Sequence, residues 1–316
     1  MSAAIPLEAI QAAAGRIARL IVRTPLLRLP LDDLPIEIYL KLENLQPIGS
    51  FKLRGAGNAI AQASAAELAR GVYTASAGNM AQGLAWNARR LGIPCQVIVP
   101  DHAPKTKLAA IRRLGGEIIK VPFDRWWDVI VSGEYEDLDG RFIHPVSDPA
   151  VMAGNGTIGL EILADLPDVD AVVIPYGGGG LSSGIASAMR ALRPAARLYA
   201  VEVETAAPLS ASLRAGKPVE VDYRPSFVDG IGGKSVLPEM WERVSSLLDD
   251  SLLVSLDEVR AAIRLLAERQ RVIAEGAGAA SVAAALAGKA GASKVVCVVS
   301  GGNIERGVLA EILAEG

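Results

Sequence analysis

Aromatic side chains are scarce in this chain, only 4% of 316 residues, so Ala, Val, Leu and Ile must fill its core. Apolar types together reach 51%, enough for a sizeable one, and the length suits two domains or one large one. Cysteine is almost absent. Cys95 and Cys297 each lie inside an apolar, strand-like run and read as reduced core residues. No Lys/Arg-rich run accompanies the formal charge of −3, which argues against a nucleic-acid partner. No apolar stretch is long enough to span a bilayer, so no membrane partner is expected. Residues 1–7 carry no basic segment leading into an apolar core, which reads as no secretory signal. Together these absences predict a soluble cytoplasmic protein.

What is present is alternation. Short β-branched runs at 36–42, 71–75, 96–99, 117–121, 171–175, 198–203 and 294–299 read as strands. Ala-rich stretches at 80–91, 105–114, 158–166, 181–192 and 256–271 have helical spacing. This pattern predicts an α/β fold of mostly parallel sheets covered by helices on both faces. Glycine is abundant (32 residues) without a collagen-like period, as tight αβ turns require. Pro25, Pro30 and Pro35 punctuate an irregular stretch before the first clear strand. Residues 124–141, with Trp126 and Trp127, read as a short helix and a surface loop. His144-Pro145 and Asp148-Pro149 mark a crossing between domains.

Two features carry chemistry. In Gly49-Ser50-Phe51-Lys52 a lysine follows an aromatic ring at the start of a helical stretch. A lysine amine forms a Schiff base with a carbonyl. Far downstream Gly177, Gly178, Gly179 and Gly180 sit between an apolar strand and a helix, a turn able to hold a phosphate on backbone amides. One small molecule carries both an aldehyde and a phosphate, pyridoxal 5'-phosphate, with Lys52 as its covalent anchor. The competing reading is a dinucleotide turn. Gly177 and Gly179 match its first two glycines and Glu202 lies near the required distance, but Ser182 occupies the third glycine position.

From about Thr24-Pro25-Leu26 to its end the chain resembles the fold-type-II pyridoxal-phosphate enzymes, and within them the serine/threonine dehydratases. The matching segments are Lys41-Leu42-Glu43-Asn44-Leu45-Gln46-Pro47, Gly49-Ser50-Phe51-Lys52, Ser76-Ala77-Gly78-Asn79, Ala153-Gly154-Asn155-Gly156-Thr157, the 177–180 glycines and Ser300-Gly301-Gly302-Asn303. The resemblance implies a tryptophan-synthase-β-like arrangement of two domains, each a mostly parallel twisted sheet covered by helices. Residues 1–52 and 148–316 would form the large cofactor-binding domain and 53–147 a small mobile one. It also implies a homodimer.

The same resemblance implies roles. Lys52 anchors the cofactor and Phe51 packs on its ring. Asn79 meets the 3-hydroxyl, Gly177 to Gly180 with Leu181 hold the phosphate, and Ser300 meets the pyridine nitrogen. A neutral serine there leaves the ring a weaker electron sink than an aspartate would. Ser76, Ala77, Gly78 and Met80 line the substrate's carboxylate side. Glu275 is a further candidate near the ring, although Glu275-Gly276-Ala277-Gly278-Ala279 also reads as a close-packed helix start. His102 and His144 fall in no matched motif and receive no catalytic role.

Departures from the family matter too. Met80 replaces its histidine and cannot donate a hydrogen bond, opening the site to a larger or more apolar β-substituent. Ala77 stands where racemases carry a second serine. Some members bind a divalent cation near the position of Glu202, but the assisting aspartate falls at Pro208 here, so no metal is assigned. The segment around Trp126 is shorter than the family's. The chain ends soon after Ser300, which predicts neither a regulatory domain nor isoleucine feedback.

The expected activity is an ammonia-lyase turning a β-hydroxy amino acid, threonine or serine, into a 2-oxo acid and ammonia. The alternatives are another β-elimination or β-replacement enzyme or a racemase on the same scaffold. More distant is a nicotinamide-dinucleotide dehydrogenase, which leaves Lys52 and Ser300 without roles.

Overall fold

A computed structural model describes residues 4–31 and 35–315. Its strands are β1 (Leu26–Arg28), β2 (Glu37–Leu42), β3 (Val72–Ala75), β4 (Cys95–Pro100), β5 (Glu117–Val121), β6 (Arg141–Phe142), β7 (Ala171–Pro175), β8 (Arg197–Val203), β9 (Asp250–Val254) and β10 (Lys294–Val299). They form two sheets. The larger has the order β1-β2-β10-β7-β8-β9, and the smaller β5-β4-β3-β6. Every neighbouring pair is parallel except β1 on β2.

The central strands are apolar without alternation because both faces are buried. Ala171 and Val173 of β7 enter one core with Val295 and Ala280, while Val172 and Ile174 enter the other with Ile185 and Val298. Each such Val or Ile contributes about 1.5–3 kcal/mol on burial. With few aromatics to fill space, helices must approach closely. The helix Gly276–Leu286 is buried on all sides and almost entirely Ala and Gly. Helices Pro149–Asp165 and Gly180–Leu192 cross so tightly that a Cβ on Gly184 would lie 2.3 Å from the Met152 carbonyl oxygen.

Several elements differ from the sequence reading. The helix expected at 158–166 begins at Pro149, where Asp148 caps it by accepting from the Ala150 N–H at 2.7 Å. Gly154 and Gly156 mask its periodicity, although they serve close packing. The stretch 256–271 is not one α-helix. It runs from Leu256 to Leu265, widens into a π turn over Leu266–Gln270, and ends at Arg271 with φ +58°. The irregular region after Pro25 contains the antiparallel edge strand β1, and β6 and β9 were not foreseen. The cysteines are free and buried, and burial pushes the Cys95 thiol up to about 12.

The site loops all follow the carboxyl ends of strands: 76–79 after β3, 101–104 after β4, 176–180 after β7 and 300–303 after β10. That is where open α/β sheets place ligands.

Candidate active site

Lys52 is the first residue of the helix Lys52–Ala61, and Phe51 precedes it. Two long-range contacts fix this helix start. The Phe51 N–H donates to the Ser300 carbonyl at 3.0 Å, and Ser50 bridges Gly301. Two residues further on, buried Arg54 binds Glu43 through Nε and Nη2 at 2.8 Å each and Glu161 through Nη1 at 2.7 Å. Lys41, also buried, donates to Glu161 at 2.5 Å and to the Thr24 carbonyl at 2.6 Å. Two cations meet two carboxylates. Burial alone would raise Glu43, but the Arg54 guanidinium overrides it and holds the carboxyl below its ordinary range. This cluster clamps the helix that carries Lys52. Sequence reasoning missed it. Glu43 lies in a recognised motif, but nothing local shows that it meets Arg54.

Lys52 itself has no such company. Its amine donates to the Pro145 carbonyl at 2.5 Å and lies 5.3 Å from the Phe51 ring centroid. Neither partner is an anion, and burial pulls the amine down to about 8. A minority, roughly a fifth, is therefore neutral near pH 7.4, far more than for an ordinary lysine.

Phe51, Lys52, Ser76, Ala77, Gly78, Asn79, Met80, Gly177, Gly178, Gly179, Gly180, Leu181, Glu275 and Ser300 all line one cavity of about 420 Å³. The glycine loop begins where the Tyr176 N–H pairs with the Val201 carbonyl at 3.0 Å. Gly179 adopts φ +96° and precedes the helix Gly180–Leu192, which has no side-chain cap. Its leading amides are left for an anion. A Cβ on Gly178 would lie 2.6 Å from Val146 Cγ2, and one on Gly180 2.6 Å from the Val146 carbonyl oxygen. The turn holding Pro145 and Val146 thus touches both the lysine and the loop. Half-buried His144 shapes that turn, its Nδ1 accepting from the Val146 N–H at 3.1 Å and the Ser147 N–H at 2.8 Å. From sequence His144-Pro145 read only as a crossing between domains, with no place at the site.

On the other side, Ser76-Ala77-Gly78 leads into the helix Asn79–Leu91, again without a side-chain cap. A Cβ on Gly78 would meet nothing within 4 Å, so the loop borders open space. Asn79 does not cap. Its Nδ2 donates to Glu275 at 2.9 Å, and its Oδ1 accepts from Asn303 Nδ2 at 2.8 Å. Ser300 is buried, and its hydroxyl bonds no other described residue. Met80, Phe123 and Trp126 with Pro100, Ala103 and Pro104 give the cavity an apolar wall, and His102, Lys107 and Asp229 line it as well.

An amine free of carboxylates, uncapped amides on a bare glycine turn, an unpartnered hydroxyl and an asparagine amide on one cavity fit pyridoxal phosphate. Glu202, which a dinucleotide reading needs, is buried. It accepts from the Leu209 N–H at 2.9 Å, the Ser210 N–H at 2.7 Å and the Ser251 hydroxyl at 2.7 Å. It is committed to the helix beginning at Pro208 and cannot reach a ribose. Among the described residues no three His, Cys, Asp or Glu side chains cluster as a metal site. No helix there is long and apolar enough to cross a membrane.

Residues 17–301 match the model of the family described as pyridoxal-phosphate dependent enzymes. The chain belongs to that family. It is 44% identical over 287 residues to an L-threonine ammonia-lyase of Thermotoga maritima, covering 89% of this chain and 70% of that protein. Among solved structures it resembles maize serine racemase (TM-score 0.91, 31% identity, 99% and 98% of the two chains). It also resembles the processed form of threonine deaminase isoform 2 from Solanum lycopersicum (TM-score 0.89, 33% identity, 98% and 88%).

Proposed function

We propose that the protein is a pyridoxal-phosphate-dependent ammonia-lyase that dehydrates a β-hydroxy amino acid, threonine or serine, to a 2-oxo acid and ammonia. The observation that carries this is the Lys52 amine, buried with no anionic partner and sharing a cavity with the glycine turn. The bound cofactor supplies an aldehyde for covalent attachment and a ring that stabilises charge at the substrate α-carbon.

The chain's own residues do the rest. Gly177 to Gly180 and Leu181 hold the phosphate on backbone amides, and Asn79 and Ser300 orient the ring. The amides of 76–79 hold the substrate carboxylate at a helix N-terminus. Lys52 Nζ, drawn down to about 8 by burial so that a neutral fraction is available, accepts the α-proton as general base. The β-hydroxyl takes up a proton and leaves as water, and the released enamine tautomerises to an imine that water hydrolyses to the oxo acid and ammonia. Ala77 offers no acid to the opposite face of the substrate, which disfavours racemisation.

The elements between Lys52 and Pro149 that form the smaller sheet act as a small body closing on the larger one, with residues 53–147 as its extent. The test is a panel of serine, threonine and O-acetylserine with oxo-acid and thioether readouts, together with borohydride trapping of the cofactor. Oxo acid from the hydroxy amino acids and a cofactor adduct on Lys52 support the reading. Thioether product alone, or an adduct elsewhere, overturns it.

A further inference from the structure

Glu275 is a buried carboxyl on the cavity wall that the reaction above does not use. It precedes the helix Gly276–Leu286 yet caps nothing with its side chain. Instead its Oε1 accepts from Asn79 Nδ2 at 2.9 Å and its Oε2 from the Asn303 N–H at 3.1 Å. Asn303 closes the ring, donating from Nδ2 to Asn79 Oδ1 at 2.8 Å and to the Ile48 carbonyl at 2.9 Å. Asn79 stands on the element following β3 of the smaller sheet. Glu275 and Asn303 flank β10 of the larger one.

This ring decides which way the Asn79 amide faces. With Nδ2 toward Glu275 and Oδ1 toward Asn303, both contacts are satisfied and one N–H stays uncommitted on a residue that lines the cavity. Flipped, the amide would set oxygen against carboxylate and nitrogen against nitrogen, with both contacts repulsive.

We propose that Glu275 is a positioning residue: its carboxylate holds Asn79 as a hydrogen-bond donor toward the cofactor's 3-oxygen, and protonation of Glu275 loosens that hold. This rests on the cofactor reading above. A protonated carboxyl can itself donate to Asn79 Oδ1, which removes one of the two contacts that oppose the flipped amide and leaves only the Asn303 contact to hold it. The charged groups bearing on Glu275 are Asp229 and Lys107, which pair with each other at 2.6 Å on the same cavity. Burial, and then Asp229, push the carboxyl up to about 7, so the switch falls near neutrality.

The test uses holoenzyme and the cofactor's visible absorption between pH 6 and 9, with cofactor affinity from equilibrium dialysis. Wild type is expected to show a spectral step near neutral pH. Glu275→Gln keeps an acceptor for Asn79 and cannot titrate, so it should keep affinity near wild type and lose the step. Glu275→Ala should weaken cofactor binding by roughly tenfold. That loss should vanish in an Asn79→Ala background, because Glu275 acts through Asn79. Additive losses in the double variant, or a spectral step unchanged in Glu275→Gln, overturn the proposal while the cofactor reading stands. If Glu275→Ala fails to fold by circular dichroism, Glu275→Gln decides alone. Wild type that binds no pyridoxal phosphate overturns both.

Discussion

Lys41 and Lys52 are two lysines withdrawn from water on either side of one turn, and the protein answers them differently. Lys41 is met by Glu161 and sits in a cluster where Arg54 and Glu43 complete the balance of charge. Lys52 is met by a carbonyl oxygen and open space. Burial lowers both amines, but a carboxylate opposes the effect only at Lys41. Compensated charge makes a rigid support. Charge left uncompensated makes a reactive amine. The two belong together, since the cluster clamps the helix whose first residue is Lys52.

The largest effect should come from Lys52→Ala. We expect turnover to fall by about 10²–10⁴-fold or more and borohydride trapping to disappear, while the denaturation midpoint does not fall, because no carboxylate is stranded and a buried charge is removed. Turnover of Lys52→Ala matching wild type would end the contrast between the two lysines. Arg54→Met should behave in the opposite sense. It strands Glu43, while Lys41 still meets Glu161, costing about 3–5 kcal/mol in chemical denaturation, with turnover per folded molecule little changed. An Arg54→Met protein as stable as wild type would show the cluster to be dispensable.

The contrast has a pH signature. The folded value of Lys52 lies near 8, below its unfolded value near 10.5. Its stabilising contribution to the cofactor-free protein is therefore fully present above about 10.5 and is lost as pH falls through about 8. The span amounts to at most ~3 kcal/mol. The rate of reductive trapping should rise through the same value near 8, since only the neutral amine attacks an aldehyde. A flat profile of either quantity between pH 7 and 10 would contradict a desolvated, unpaired amine.

The glycine turn sharpens the picture on the phosphate side. Gly180→Ala places a methyl 2.6 Å from a backbone oxygen, whereas Gly178→Ala meets the two methyls of Val146 at 2.6 and 2.7 Å, a side-chain contact on a stiff residue. Gly180→Ala should weaken cofactor binding by about 1–3 kcal/mol and Gly178→Ala by less, measured by dialysis. The reverse order would mean that the turn at Val146 is softer than the side chain it carries.

Much of this was legible in the chain, and the parts that were not share a cause. Parallel strands buried on both faces read as unbroken apolar runs, so β7 and β10 were found with their bounds. The edge strands β1 and β9 bury little and carry no such signal. The helix from Pro149 was cut short because Gly154 and Gly156, needed for close crossing, imitate a break. The site motifs were readable because each is a short run with its own chemistry. Meetings between distant residues were not. Asn79 and Glu275 are 196 positions apart, and Arg54 and Glu161 are 107. Only the fold brings them together, and no local pattern records it.

The smallest predicted effect concerns the cavity mouth. Under the proposed roles Lys52, Asn79, Ser300 and the loop amides serve the cofactor and the α-carboxylate, and His102, Lys107 and Asp229 also line the cavity. Met80, Phe123 and Trp126 line the same cavity as an apolar surface, which we expect to face the β-substituent. Such a wall rewards a methyl group, and one carbon in an apolar pocket is worth about 1–3 kcal/mol, or roughly 10–200-fold. Threonine should therefore be preferred over serine in kcat/KM by about tenfold, with the difference mainly in KM. Trp126→Ala should narrow the ratio by raising KM for threonine while leaving serine nearly unchanged. Equal efficiency on the two substrates, or a ratio unmoved by Trp126→Ala, would show that the β-substituent lies away from this wall, against the glycine turn instead.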